Sequence, residues 1–164
     1  MSQNGSVIGL YTVDRRSAPM IEVSHLKALA GLGIEGDRYL LGTGTYSKKP
    51  QPGRQVTLIQ SETLEWLGDT LDITVQPEQS RRNVLTKGIE INELVGTEFR
   101  VGSVRLRAHR ITQPCPYLEK LLDKPGLYEA LWDKGGISCE ILCDGIINIG
   151  DVVSSDLNPS DVSG

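Results

Sequence analysis

Short apolar segments separated by glycine-containing turns are the feature that most limits how this 164-residue sequence can fold. The segments are rich in valine, isoleucine and leucine, and turn formers bound them, as is typical of β-strands. Many short strands with few helices predict a mainly β fold, a closed or nearly closed antiparallel β-barrel. We expect its strands at residues 7–13, 55–59, 83–86, 98–101, 103–112, 137–142 and 146–153.

Short helices are expected at residues 61–67, 116–122 and 126–132. The first begins at Ser61 and is expected to end at Gly68, since glycine often follows the last helical residue. A chain of this length is typical of one domain with its own core, and no internal repeat or change of composition marks a second. We therefore expect a single barrel domain at residues 1–154 and a loose, polar tail at residues 155–164.

The strand expected at residues 103–112 has an irregular pattern. Apolar and polar side chains alternate as far as Ala108, but Ile111 has the opposite parity. A bulge near His109 and Arg110 would restore the alternation, and bulges often re-aim side chains beside a functional site.

The charge distribution bears on possible ligands. The net charge is -4, so a broadly cationic surface that would bind nucleic acid or anionic lipid is not expected. Residues 76–110 nevertheless carry seven arginines and lysines against four glutamates. These arginines either face solvent on the sheet or bind a small anionic ligand. The glycine-rich segment 31–53 matches neither the dinucleotide nor the P-loop pattern.

No apolar stretch is long enough to cross a bilayer, and the first residues lack the features of a secretory signal, so we expect a cytosolic protein. Three cysteines in such a protein do not predict a disulfide framework. Cys139 and Cys143 have the same strand parity and would lie about 13 Å apart on an extended strand, too far for a disulfide bond. We expect both to be buried packing residues. With two histidines and no Cys-x-x-Cys pair, a structural zinc site is not expected.

Cys115 has a different setting. It lies between Pro114 and Pro116, immediately before the helix expected at residues 116–122. The positive end of a helix dipole favours a thiolate, and His109 and Arg110 lie nearby in sequence, so the pKa of Cys115 is expected below the free value of about 8.5. A thiolate is both a nucleophile and a metal ligand. The alternative is a small apolar residue that fills a corner between a loop and a helix.

The order of several motifs resembles the MOSC domain, the family named after the C-terminal domain of molybdenum cofactor sulfurase. The matching motifs run from about residue 33 to residue 153 and are strong only in combination. They are Gly36-Asp37-Arg38-Tyr39, the segment 54–59, Arg81-Arg82-Asn83-Val84, the segment 88–96, Pro114-Cys115-Pro116, Gly135-Gly136-Ile137 and the segment 145–153.

The resemblance implies a β-barrel of the type also found in pyruvate kinase, with the family's cysteine at Cys115. It also implies a protein that carries sulfur or binds the molybdenum cofactor, a pterin dithiolene with a phosphate. The chemistry of the residues is compatible with this, because a soft thiolate can hold sulfur as a persulfide or ligate molybdenum. The fork-shaped donors that suit a phosphate and a pterin edge would come from Arg38, Arg54, Arg81, Arg82 and Asn83.

Three functions remain open at this point. The first is a sulfur carrier in which Cys115 receives sulfur from a cysteine desulfurase. The second is a molybdenum-cofactor-dependent reductase domain for N-hydroxylated compounds, with Cys115 as a metal ligand and a separate protein as electron donor. The third is a cofactor-binding module without catalysis. No residues can be assigned to pyridoxal phosphate, so we expect the pyridoxal-phosphate desulfurase, or the electron-transfer reductase, to be a separate protein partner.

Overall fold

The strands and helices are described from a computed structural model, which covers residues 4–15, 18–37, 54–112 and 116–156. The strands are β1 (Asn4–Thr12), β2 (Ile21–Glu22), β3 (His25–Leu29), β4 (Gly33–Ile34), β5 (Val56–Gln60), β6 (Val84–Lys87), β7 (Glu98–Val101), β8 (Val104–Ile111), β9 (Ile137–Ile141), β10 (Gly145–Asn148) and β11 (Val152–Ser154). The α-helices are α1 (Ser61–Leu71), α2 (Pro116–Leu122) and α3 (Leu127–Ala130). Two 3-10 turns lie at Pro77–Ser80 and Ile91–Leu94.

Seven of the described strands form a closed barrel, which confirms the predicted fold class. Their order is β11-β7-β8-β9-β5-β6-β1, and pairing of β1 with β11 closes the sheet. Most neighbours are antiparallel, but β5 and β6 run parallel, with Leu58 opposite Val84. This difference from the expected antiparallel barrel follows from the connection, because parallel strands need a crossover and α1 lies within it.

Apolar side chains fill the interior of the barrel. Alternate residues of each strand point inward, and the single phenylalanine, Phe99, is completely buried among them. Burial of this kind is the main contribution to stability in a fold with few aromatic residues. Other fully buried members of this core are Leu10, Leu58, Val84, Leu106 and Ile137.

A second, smaller core lies outside the barrel, where the helices pack against one another. Leu67 of α1, Leu118 of α2 and Leu127 of α3 are its main members. The expected end of the first helix at Gly68 is wrong, since α1 continues to Leu71 and is followed by Asp72 in the left-handed conformation at φ 56°. The bounds of α2 are as predicted, whereas α3 is shorter than expected.

The bulge expected in the long strand is confirmed. The register between β8 and β9 shifts between Ala108 and Arg110, so that His109 is the extra residue. Its Nε2 lies 2.9 Å from Glu140 Oε1 on the neighbouring strand. The bulge therefore directs His109 towards Glu140.

The single strand expected at residues 146–153 is wrong, because this segment forms β10 and β11 in two different sheets. Gly150 lies between them at φ 91°, and the Asn148 amide donates to Asp151 Oδ2 at 2.8 Å. β10 pairs instead with β3, a strand that the sequence pattern did not predict, in a small sheet that also contains β4. A tight turn thus interrupts the segment at Asn148, Gly150 and Asp151, three residues of types that are uncommon in strands.

At the C-terminal end of the described residues, the Asp156 carbonyl accepts a hydrogen bond from Arg100 Nε at 2.8 Å. The rest of the expected tail, residues 157–164, lies outside the described residues. None of the described helices is both long and apolar enough to cross a membrane.

Candidate functional site

Two of the predicted site residues, Cys115 and Arg38, lie outside the described residues. The residues that precede and follow the segment 113–115 are described. On one side the Thr112 amide, just after β8, donates to the Gly136 carbonyl at 2.7 Å, and the hydroxyls of Thr112 and Ser138 are 2.6 Å apart. On the other side Pro116 is the first residue of α2. In the sequence, the predicted nucleophile thus lies between the end of β8 and the start of α2.

Arg82 lies beside this place. Its Nε donates to the Gly135 carbonyl at 2.7 Å. A Cβ built on Gly135 would lie 2.4 Å from the Thr112 carbonyl oxygen and 3.6 Å from Arg82 Nη2. Gly135 therefore brings the Arg82 guanidinium close to the end of the strand that leads to Cys115.

The neighbouring arginine has a different partner. Arg81 has a left-handed backbone at φ 66°, and its Nη1 donates to the Ala18 carbonyl. Adjacent arginines in the sequence are thus directed to two separate segments of the chain. Arg82 is the one of this pair whose hydrogen bond leads to Gly135, close to Thr112.

Arg54 is half-buried and lies two residues before the start of β5. The next residue, Gln55, forms two hydrogen bonds with β9. Its backbone amide donates to the Cys139 carbonyl at 3.1 Å, and its side-chain Oε1 accepts from the Ile141 amide at 2.8 Å. Arg54 is therefore held at the beginning of β5 by its neighbour. Its convergence with Arg82 and Cys115 stays a prediction.

Asn83 is completely buried, and its side chain forms hydrogen bonds within the protein. Its Oδ1 accepts from the Thr57 amide and hydroxyl at 3.0 and 3.1 Å. Its Nδ2 donates to the Tyr11 carbonyl at 3.2 Å and to Asp37 Oδ1 at 3.1 Å. Two donors and two acceptor positions are all that an amide has, so any contribution of Asn83 to a ligand site is made through the position of Arg82.

Sequence reasoning missed Asp37, whose side chain is completely buried. Asp37 is part of the Gly36-Asp37-Arg38-Tyr39 motif, in which only Arg38 was expected to bind a ligand. A buried carboxylate is rare and requires hydrogen-bonding partners, which Thr12, Val13 and Asn83 supply. In the sequence, its place in this motif directly after Gly36 is the signal that could have indicated a structural role for Asp37.

Comparison with known proteins decides the family. The sequence profile of the MOSC domain matches residues 45–154, two thirds of the chain. The chain belongs to the MOSC domain family. Members of this family are associated with the molybdenum cofactor and with sulfur transfer, as the motifs indicated.

Solved structures support the fold of this MOSC domain. The YuaD protein from Bacillus subtilis superposes with a TM-score of 0.78 at 18% identity, over 94% of this chain and 96% of that one. YiiM from Escherichia coli gives a TM-score of 0.64 at 20% identity, over 92% of this chain and 68% of that one. YiiM from Geobacillus stearothermophilus gives 0.62 at 14% identity, with 93% and 74% covered. Among curated protein sequences, none matches this chain significantly.

The other two cysteines of the MOSC domain are unlike each other. Cys139 is completely buried in the barrel, as predicted, and this burial raises the pKa of its thiol. Cys143 lies past the end of β9 and is only half-buried, so its expected place in the core is wrong. Its Sγ accepts a hydrogen bond from the Arg105 amide at 3.2 Å and donates to the Ser103 carbonyl at 3.6 Å. Burial makes Cys139 a poor nucleophile.

Histidine, cysteine, aspartate and glutamate side chains do not gather in threes anywhere in the described part of the MOSC domain. A metal held by the protein alone usually needs three or four such ligands. The donor set near Gly135 is instead a guanidinium, which suits a phosphate or another oxyanion.

Proposed function

We propose that this MOSC domain accepts sulfur on Cys115 and carries it as a persulfide, beside an arginine-containing site for the molybdenum cofactor. The observation that carries the proposal is the Arg82 hydrogen bond to the Gly135 carbonyl at 2.7 Å, next to the strand end that leads to Cys115. A guanidinium at this place would stabilise a thiolate or persulfide anion, because opposite charges nearby favour the ionised form.

The transfer step needs no external oxidant. The Cys115 thiolate attacks the terminal sulfur of a persulfide on the donor protein, and a new S–S bond forms at Cys115. The donor's own S–S bond breaks, and the donor cysteine leaves as a thiolate. Sulfur therefore moves at constant oxidation state, and the donor is a cysteine desulfurase that acts as a separate partner.

The guanidinium of Arg82 beside Gly135 supports a site for the molybdenum cofactor, because guanidinium groups suit phosphates. Arg82, together with Arg54 and Arg38, would supply donors for its phosphate and pterin edge, and Cys115 would supply a thiolate. When bound, the cofactor supplies a molybdenum centre that is open to sulfur and electron transfer. Arg82 would then orient the cofactor, and Pro114 and Pro116 would limit the backbone freedom of Cys115.

The test is sulfur loading followed by mass spectrometry. The protein is incubated with a cysteine desulfurase and cysteine, and the peptide that contains Cys115 is expected to gain one sulfur atom. Cys143→Ser is the matched control and should load as the original protein does, whereas Cys115→Ser should not load. Equal loading of Cys115→Ser would overturn the proposal. Absence of loading together with Cys115-dependent retention of molybdenum and pterin would replace it with the reductase function.

A further inference from the structure

The buried carboxylate of Asp37 is hydrogen-bonded to Asn83, the residue that follows Arg82. Oδ1 of Asp37 accepts hydrogen bonds from Thr12 Oγ1 at 2.9 Å, from Asn83 Nδ2 at 3.1 Å and from the Val13 amide at 3.4 Å. Removing a carboxylate from water is costly unless several donors surround it. Two apolar residues could pack here without the cost of removing a charge from water. The hydrogen bond between Asp37 and Asn83 is directional, and it fixes the orientation of the Asn83 side chain.

Asn83 links Asp37 to strands β1 and β5. Both hydrogens and both acceptor positions of its amide are used, towards Asp37, Tyr11 and Thr57. Its backbone amide also donates to the Thr57 carbonyl at 3.1 Å. The orientation of residue 83 is therefore fixed by its side chain and by its backbone.

Arg82 is the preceding residue, so its Cα position follows from that of Asn83. Its guanidinium must then reach the Gly135 carbonyl, which it meets at 2.7 Å. We infer that Asp37 is a positioning residue, which acts through Asn83 to set the Arg82 guanidinium against Gly135. The effect on sulfur transfer rests on the proposed function of Arg82, whereas the effect on the position of Arg82 does not.

The direct test measures solvent exchange of the Arg82 Nε hydrogen by NMR, with the signal assigned by its loss in Arg82→Lys. Asp37→Asn keeps the shape of the side chain but replaces the carboxylate acceptor with a neutral amide oxygen. Hydrogen bonds to a charged acceptor are about twice as strong as those to a neutral one. We expect the Arg82 Nε hydrogen to exchange about tenfold faster in this variant, since one decade corresponds to a change of about 1.4 kcal/mol. Thr12→Val is the matched control, because it removes another hydrogen bond to the same oxygen and leaves the bond to Asn83 in place.

Unchanged exchange in Asp37→Asn would overturn the inference. Equal acceleration in Thr12→Val would overturn it as well, because the faster exchange would then come from general destabilisation around Asp37 and not from its hydrogen bond to Asn83. Either result is independent of sulfur loading.

The second measurement is the rate of sulfur loading on Cys115. Asp37→Asn should load several-fold more slowly than the original protein, and Arg82→Gln should abolish the difference, since residues that act through one another are not additive. Additive effects would contradict action through Arg82. A protein that takes up no sulfur at all would reject the proposed function, and the exchange experiment would still decide the position of Arg82.

Discussion

Gly136 and Leu58 approach so closely that a Cβ on Gly136 would lie 2.1 Å from the Leu58 carbonyl oxygen. This contact lies where the chain enters β9, and the Gly136 carbonyl also accepts the hydrogen bond from Thr112. The position requires glycine for a second reason, since its φ is 97°. Gly136 thus joins β5 and β9 beside the strand end that leads to Cys115.

Substitution of Gly136 by alanine is expected to destabilise the protein by about 2–5 kcal/mol, from backbone strain and from overlap with Leu58. Urea denaturation measures the loss. Gly96→Ala is the matched control, since Gly96 has a similar φ of 85° but no atom within 4 Å of an added Cβ. Similar losses in both variants would mean that the approach to Leu58 contributes nothing.

Two buried threonines should respond in opposite directions to replacement by valine. The hydroxyl of Thr86 is buried and has no hydrogen-bond partner among the described residues, so Thr86→Val is expected to raise the free energy of unfolding by about 1 kcal/mol. The Thr57 hydroxyl donates to Asn83, so Thr57→Val is expected to lower it by about 1–3 kcal/mol. Denaturant titration of both variants measures the difference, and losses of equal size would contradict it.

The cysteines should differ in their rates of alkylation near neutral pH. Cys115 is expected to react first, Cys143 more slowly and Cys139 only after unfolding, because burial excludes reagent from Cys139 and raises the pKa of its thiol. Peptide mass spectrometry over time gives the order. Reaction of Cys143 at the same rate as Cys115 would show that Cys115 has no special activation.

Tyr11 should contribute to loss of stability at alkaline pH. Its burial, followed by the hydrogen bond to Glu22, raises the pKa of Tyr11 from 10.0 to about 12. A raised pKa means that the folded protein holds the proton more tightly, so this contribution is complete below pH 10.0 and is lost as the pH rises towards about 12. Tyr11→Phe should therefore lose less stability across this interval than the original protein, as measured by urea denaturation. Parallel losses would contradict the prediction.

Local patterns explain why much of the barrel could be predicted. Alternation and turn residues located six of the seven barrel strands within a few residues, all except β11, and the change of parity at Ile111 located the bulge at His109. The turn at Gly150 was missed although Asn148, Gly150 and Asp151 are turn-forming residue types, because the apolar residues around them favoured a continuous strand. The parallel pairing of β5 with β6 depends on the crossover and leaves no local pattern.

The candidate site was predictable only in part, and for a similar reason. Motif order indicated Cys115 and Arg82, but the contact of Arg82 with Gly135 joins residues far apart in the sequence. Asp37 and Asn83 are polar residues, for which exposure is the usual expectation. Their burial follows from a hydrogen bond between distant segments, which no local pattern reveals.

The pairing of β1 with β11 also bears on how the protein is made. Asn4 lies opposite Ser154, so the barrel is closed by strands from opposite ends of the described chain. During synthesis β1 leaves the ribosome early and its partner on that edge leaves late. Until then the edge of β1 that β11 will cover can pair with other chains. Closure therefore waits for the synthesis of β11, and a nascent chain that stops before Val152 keeps this edge open to aggregation.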